Sequence, residues 1–243
     1  MTSPLKKSFG FQTVTEQQRE SNIREVFDKV AARYDLMNDA MSFGIHRLWK
    51  NRLARMAELR PEQLVVDLAG GTGDVASRMD HLGQGASVLI ADPSVAMMQA
   101  GRTRHDLNCV ACSAEQLAFT DDSLDTVTIA FGIRNTTDME QALCEIVRTL
   151  KPGGRCLVLE FSRPAWWLKP FYDWYSFRII PRLGAWIARE PAAYRYLVES
   201  IRKFPDQREF CTIMQNAGLQ SVSFRNLSFG IACIHSGTKP LER

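Results

Sequence analysis

Several things are missing from this 243-residue chain, and each absence removes a class of protein. No stretch of eighteen uninterrupted apolar residues occurs, so no span of a bilayer is expected. The first ten residues carry Lys6 and Lys7 without an apolar run behind them, so no cleaved secretory signal is expected either. Long runs of lysine or arginine are absent and the net charge is only +3, which gives no electrostatic footprint for nucleic acid. The six cysteines lack the spacing of a disulfide framework. Cys109 and Cys112 form a C-x-x-C, but in a strand that offset puts them on opposite faces, and no partners at zinc-site spacing accompany them. Reduced thiols, no metal and a cytoplasmic location are the expectation. Repeats and low-complexity segments are also lacking. What remains is 45% hydrophobic and 23% charged, the material of an ordinary globular core.

Residues 16–60 read as helical, with Ile23, Phe27, Val30 and Tyr34 on one stripe and His46, Trp49, Leu53 and Met56 on another. After Pro61 the texture becomes an alternation of strands and helices. Strands are expected at 64–68, 86–91, 108–112, 124–130 and 155–161. Helices are expected at 74–83, after Asp92-Pro93-Ser94 with Pro93 in the first turn, and at 138–150. Two further strand-like runs, 219–225 and 229–235, suggest a hairpin added to the sheet edge. This order predicts an α/β fold, a doubly wound, mostly parallel sheet of seven strands, with ligands beyond the carboxyl ends of the strands. Residues 1–61 are expected to form a helical cap on a domain at 62–243, with an insertion at 164–190. Four of the five tryptophans lie in that insertion (Trp166, Trp167, Trp174, Trp186), and across 164–189 the basic residues are opposed only by Asp173. It reads either as a packed helix pair or as an apolar lid touching a membrane surface.

The strongest local signal is Asp67-Leu-Ala-Gly70-Gly71-Thr72-Gly73-Asp74. Glycines after a buried strand let backbone approach a ligand and turn into a helix. Asp92 follows Gly73 by nineteen residues, at the end of the next strand, where a carboxylate can accept both ribose hydroxyls. The same stretch fits a dinucleotide fingerprint, Gly71-x-Gly73-x-x-Ala76, so an NAD-dependent dehydrogenase is the competing reading. Asp67 before the glycines suits a ligand ammonium, and Asp74 puts negative charge where a pyrophosphate would dock; both favour S-adenosylmethionine. Ser113 and Ala114, after the third strand, fall beside the adenine in this architecture. Ser113 serves equally well as a helix N-cap.

Longer blocks carry a resemblance. Tyr34-Asp-Leu-Met-Asn-Asp-Ala-Met-Ser42-Phe-Gly-Ile-His46-Arg-Leu-Trp49 resembles the N-terminal signature of the ubiquinone/menaquinone biosynthesis C-methyltransferases. Arg148-Thr-Leu-Lys-Pro-Gly-Gly154-Arg-Cys-Leu-Val-Leu-Glu160-Phe-Ser162 resembles the second signature, with Thr149 where valine is usual. Phe9-Gly-Phe-Gln12, Phe131-Gly-Ile-Arg134-Asn135 and Tyr194-Arg-Tyr-Leu197 are similar to the family as well. The resemblance implies a class I methyltransferase that moves a methyl group from S-adenosylmethionine to a ring carbon of a polyprenylated benzoquinol (2-methoxy-6-polyprenyl-1,4-benzoquinol type), of demethylmenaquinol, or of both. It implies cofactor contacts at Thr72, Asp92, Ser113 and Ala114. Ala130 departs from the serine found in many members, so only a backbone contact is left there. Arg134 is expected to stabilise the quinolate and Asn135 to orient it. The competing expectation for Arg134 is a structural ion pair. His46 is the alternative base or a satisfied core histidine. Tyr34 either closes over the substrate or packs. Peripheral contact at the inner face of the membrane, a place in a quinone-biosynthesis enzyme complex and a homodimer are all compatible with this reading.

Overall fold

The computed structural model describes residues 8–31, 34–83, 85–179 and 191–241. A two-stranded hairpin, β1 (Ser8–Phe9) and β2 (Gln12–Thr13), leads into α1 (Glu16–Val30), α2 (Tyr34–Ser42) and α3 (Ile45–Met56). Thr15 starts α1 with a reciprocal capping box: its hydroxyl accepts the Gln18 amide at 3.2 Å, and the Gln18 side chain accepts the Thr15 amide at 3.0 Å. The alternating part follows as β3 (Leu64–Leu68), α4 (Asp74–Leu82), β4 (Ser87–Ala91), α5 (Val95–Gly101), β5 (Asn108–Val110), β6 (Leu124–Ala130), α6 (Met139–Thr149) and β7 (Leu150–Phe161). After α7 (Lys169–Trp174), α8 (Pro191–Lys203) and α9 (Gln207–Asn216), the chain ends in β8 (Gln220–Leu227) and β9 (Ala232–Thr238).

The seven-stranded sheet has the order β5-β4-β3-β6-β7-β9-β8. Its first five strands are parallel, and β9 runs antiparallel between β7 and β8. The chain reverses its direction of travel across the sheet between β3 and β6, which opens the crevice where such sheets bind ligands. Two apolar layers cover the two faces. One holds Leu143, Ile146, Phe210 and Met214, from α6 and α9. The other holds Trp49, Leu53, Ala54 and Ala57 with Val75, Ala76 and Met79. Through α3, therefore, the N-terminal segment shares its core with the Rossmann-like domain.

Four local expectations are corrected. The third strand stops at Val110, so Cys112 lies beyond it and the opposite-face argument for the two cysteines does not hold. Pro93 stands before α5, whose N-cap is Ser94, with the hydroxyl accepting the Met97 amide. Residues 113–116 make a turn closed by a Ser113–Gln116 bridge, so Ser113 caps no helix. The last strand begins at Ala232, because a short helical turn at 228–230, with Phe229 at φ +56°, comes first.

Candidate active site

Two cavities meet at the carboxyl ends of the central strands. The larger, about 800 Å³, lies between the β3–α4 turn, the end of β4 and the segments after β5 and β6, with α1 across it. Its floor is built by close approach of backbones. Gly73 caps α4 at φ +75°, and a methyl group there would collide with the His105 imidazole; one on Gly101 would strike the Thr72 carbonyl. His105 lies 3.0 Å from that carbonyl through Nε2, and its Nδ1 accepts the Leu107 amide at 3.4 Å, so the ring braces the glycine turn from behind. Nothing in the sequence pattern pointed to His105.

Asp92 is nearly buried at the cavity wall. One of its carboxylate oxygens accepts the Gly71 amide and the other the Ser94 amide, each at 2.8 Å. Burial raises this carboxyl above the ordinary aspartate value, against those two N–H groups. Each oxygen keeps a second lone pair, the arrangement needed to hold a ribose diol. Thr72, Ser113 and Ala114 border the same cavity, with Thr72 and Ala114 buried. Ser113 is exposed, and its hydroxyl accepts the Glu115 amide and donates to the Glu115 carboxylate. Ala130 and Asn135 complete the rim.

Asp67 borders the same cavity at the end of β3. It is 1% exposed, and its oxygens accept the Thr128 hydroxyl at 2.7 Å and the Ala76 amide at 3.1 Å. Burial pushes it up to about 7, against those donors and Lys50. Such a carboxylate braces β3 against α4 and borders the cofactor cavity, with one donor on each oxygen. Asp74 is likewise not a bare charge. Lys50, itself 6% exposed, reaches it at 2.9 Å, and Arg78 at 2.8 Å. Burial raises the Asp74 carboxyl, but Lys50 and Arg78 outweigh it and leave it below the ordinary range.

The second cavity, about 380 Å³, is almost wholly apolar. Phe27 and Phe131 border both cavities and form the wall between them. Phe131 stands at φ +59°, a backbone state that a bulky residue rarely occupies, and its amide is held by the Leu159 carbonyl at 2.8 Å. Its ring packs on Phe161 at 4.6 Å and on Trp49 at 6.2 Å. Arg134 lines this cavity, 4% exposed. The structural carboxylate weighed from the sequence exists: Glu160 accepts Arg134 Nη1 at 2.8 and 3.1 Å, and the Phe131 carbonyl takes the same nitrogen at 2.5 Å. Arg134 Nε has no partner although it is buried. Asn135 is fixed by the Tyr196 hydroxyl, which donates to Oδ1 at 3.0 Å.

His46 also lines the apolar cavity. Nδ1 contacts the Ser42 hydroxyl at 2.7 Å, and burial, aided by Lys50, takes its pKa down to about 4. It is therefore neutral at physiological pH and a weak base. Tyr34 opens α2, but its side chain lies outside the described residues, as do Trp186 and all of 180–190. Sequence reasoning also missed Lys50, Glu160 and Tyr196 as site builders. Glu160 and Tyr196 stood inside recognised blocks, and no spacing signalled their partners.

A profile of the ubiE/COQ5 methyltransferase family matches residues 12–239. The chain belongs to that family. A Rubrivivax gelatinosus protein named ubiquinone/menaquinone biosynthesis C-methyltransferase UbiE is 59% identical over 239 residues, covering 98% of this chain and 94% of the relative. A Pectobacterium atrosepticum protein of the same name is 47% identical, with 95% and 96% covered. Among solved structures, a SAM-dependent methyltransferase from Thermotoga maritima superposes with a TM-score of 0.65 at 21% identity, covering 89% of this chain and 99% of that one. Haemonchus contortus phosphoethanolamine N-methyltransferase 2, solved with S-adenosyl-L-methionine, gives 0.55 at 15% identity, with 75% and 50% covered. These two show the fold, and the family sets aside the dehydrogenase reading of the glycine motif.

Proposed function

We infer that the protein is an S-adenosylmethionine-dependent C-methyltransferase of respiratory quinone biosynthesis, acting on the ring carbon of a polyprenylated benzoquinol, a demethylmenaquinol or both. The observation that supports this most is the shared wall of Phe27 and Phe131, which sets a cavity suited to a nucleoside directly beside an apolar one holding Arg134.

The cofactor, when bound, supplies an electrophilic methyl on a sulfonium. Asp92 would hold its ribose, Ala114 and Met97 would pack on the base, and the Gly70–Gly71 backbone would face the amino-acid end. The chain's own work is to align the acceptor carbon and make it electron-rich. A quinol hydroxyl resembles a phenol, with a pKa near ~10. Arg134, anchored by Glu160, favours the ionised oxygen directly or through a water, and charge then builds on the neighbouring carbon. As the methyl joined that carbon, its bond to sulfur would break and leave a neutral thioether; the ring proton would then pass to water and aromaticity would return. Asn135, oriented by Tyr196, keeps the segment in register. Neutral His46 suits a hydrogen bond to the acceptor better than proton abstraction.

No helix among the described residues is long and apolar enough to cross a membrane. Access for a prenyl tail would come from the surface around the apolar cavity. Phe43 and Phe171 border that cavity while 77% and 63% exposed, and Trp166 and Trp167 are exposed on the segment leading into α7. Exposed aromatics of this kind suit peripheral contact with lipid headgroups.

The test is transfer of labelled methyl from S-adenosylmethionine to a reduced short-chain prenyl benzoquinol and to a demethylmenaquinol. A carbon-methylated product is expected; turnover confined to soluble amines or phenols would overturn the reading.

A further inference from the structure

Among the described side chains of α1, Arg19 alone is buried, at 1% exposure. The described apolar side chains of this helix do not enter the core. Ile23 borders the cofactor cavity, Val26 the apolar cavity and Phe27 both, all of them half-buried. A helix whose apolar stripe faces two ligand cavities completes its burial only when those cavities are filled.

Arg19 reaches across to the far end of the site. Its Nη2 donates to the Arg134 carbonyl at 3.0 Å and to the Thr136 carbonyl at 2.8 Å, the two carbonyls that bracket Asn135, and Nη1 donates to the Ser8 carbonyl. Next to Ser8, the Phe9 ring stacks on Tyr196 at 4.4 Å, and Tyr196 holds the Asn135 side chain. Further along α1, Asp28 accepts the Ser94 hydroxyl at 2.9 Å, two residues from Asp92. Arg19 Nε, meanwhile, is buried without a partner. A buried guanidinium that is incompletely satisfied is a poor stability device, since apolar replacements of such groups are often neutral or better. Its placement is explained by what it holds.

We propose that α1 is a cap shared by the two cavities, and that Arg19 is the positioning residue through which its closure fixes Arg134 and Asn135. The proposal rests on the reading that Arg134 faces the methyl acceptor. The planar fork can serve carbonyls from two separate segments at once, whereas a lysine ammonium on a shorter stem cannot reach both with the same geometry.

Arg19→Met and Arg19→Lys test this, with hydrogen exchange and steady-state kinetics on the full-length protein. In the wild type, saturating S-adenosylhomocysteine is expected to slow exchange across residues 16–30, and Arg19→Met is expected to lose that protection. For the quinol reaction, kcat per folded molecule should fall on the order of 10–100-fold in Arg19→Met with KM for quinol changed much less, as for misplacement of a catalytic segment. Arg19→Lys should recover part of the kcat. Wild-type kcat in folded Arg19→Met would overturn the proposal, and so would an α1 whose exchange ignores S-adenosylhomocysteine in the wild type. Should Arg19→Met fail to fold, the wild-type exchange and Arg19→Lys kinetics still decide it. The exchange arm uses no quinol, so inactivity of the wild type on quinols would sink the substrate reading alone.

Discussion

The two cavities are anchored by different means. The cofactor cavity is the more polar of the two, and its anchoring chemistry is local: the glycine turn after β3 and Asp92 at the next strand end set it through backbone amides, while α1 and the segments after β5 and β6 close the rest. The apolar cavity takes residues from α1, α2, α3, the ends of β6 and β7, α7, α8 and the turn at 228–231. Two of its polar groups, Arg134 and His46, are each tied to a side-chain partner: Glu160 holds Arg134 and Ser42 holds His46. Backbone-built sites tolerate side-chain change except at the few groups that touch ligand; a site assembled from scattered side chains depends on each of its ties.

The sharpest way to separate the cavities is through their anchors. Asp92→Ala should weaken S-adenosylhomocysteine binding by about 10²–10³-fold, because the ribose contacts go and two buried amides lose their acceptor. Calorimetry on folded protein checks this; affinity within threefold of wild type would remove Asp92 from the site.

Arg134→Lys should act on the other side of the wall. It is expected to cost about 10²-fold in kcat, comparable to losing one preorganised donor, while S-adenosylhomocysteine affinity stays within about twofold. An equal loss in both measurements would show that the cavities are not independent at Arg134.

A smaller effect concerns pH. His46 has its pKa brought down to about 4 by burial, so between about 4 and 6.5 the unfolded chain binds the proton that the folded chain refuses. His46 therefore destabilises the fold as pH falls through that window, by about 1.4 kcal/mol per pH unit at most. Asp67, raised to about 7, works with the opposite sign from about 3.8 upward, losing stability as pH rises, and His235, also near 4, adds to the His46 effect. Because these overlap, the difference between wild type and His46→Gln is the useful measurement. Denaturant unfolding of the variant from pH 4 to 7 should show a shallower loss of stability on acidification; parallel curves would mean that His46 is not held neutral by burial.

The smallest expected effect is at the surface. Trp166→Ala with Trp167→Ala should leave the melting temperature within a few degrees, since Trp166 is 85% and Trp167 53% exposed. Liposome association and turnover of long-tailed quinol should fall a few-fold, with short-chain turnover preserved. No change in either would remove the aromatic surface from the account of lipid access.

Much of the fold could be read in advance where the signal is local. The strand ending at Asp67, the glycine turn and Asp92 stand in one β-turn-α-β stretch, and five strands fell within a few residues of expectation. The errors came where context decides. Residues 108–112 have strand character throughout, yet pairing with β4 ends at Val110, where the Asp92 amide takes the Val110 carbonyl. Asp67 was read as a ligand group from its position alone, and nothing near it in the sequence signalled that Thr128 on the neighbouring strand donates to its carboxylate. That pairing depends on the register of β3 against β6, which no single segment encodes.

The amino-acid order by itself determined the alternation of strands and helices, the glycine turn with its acid nineteen residues on, and the family blocks. Periodicity and short-range spacing carry those, because neighbours along a chain are neighbours in space within one element. Only the folded chain decided that Arg134 sits against Glu160, that His105 braces the Thr72 carbonyl, and that Arg19 lies across the segment 115 to 117 residues away. Each of these joins groups from different elements, and such a contact exists only once packing has set the elements against one another.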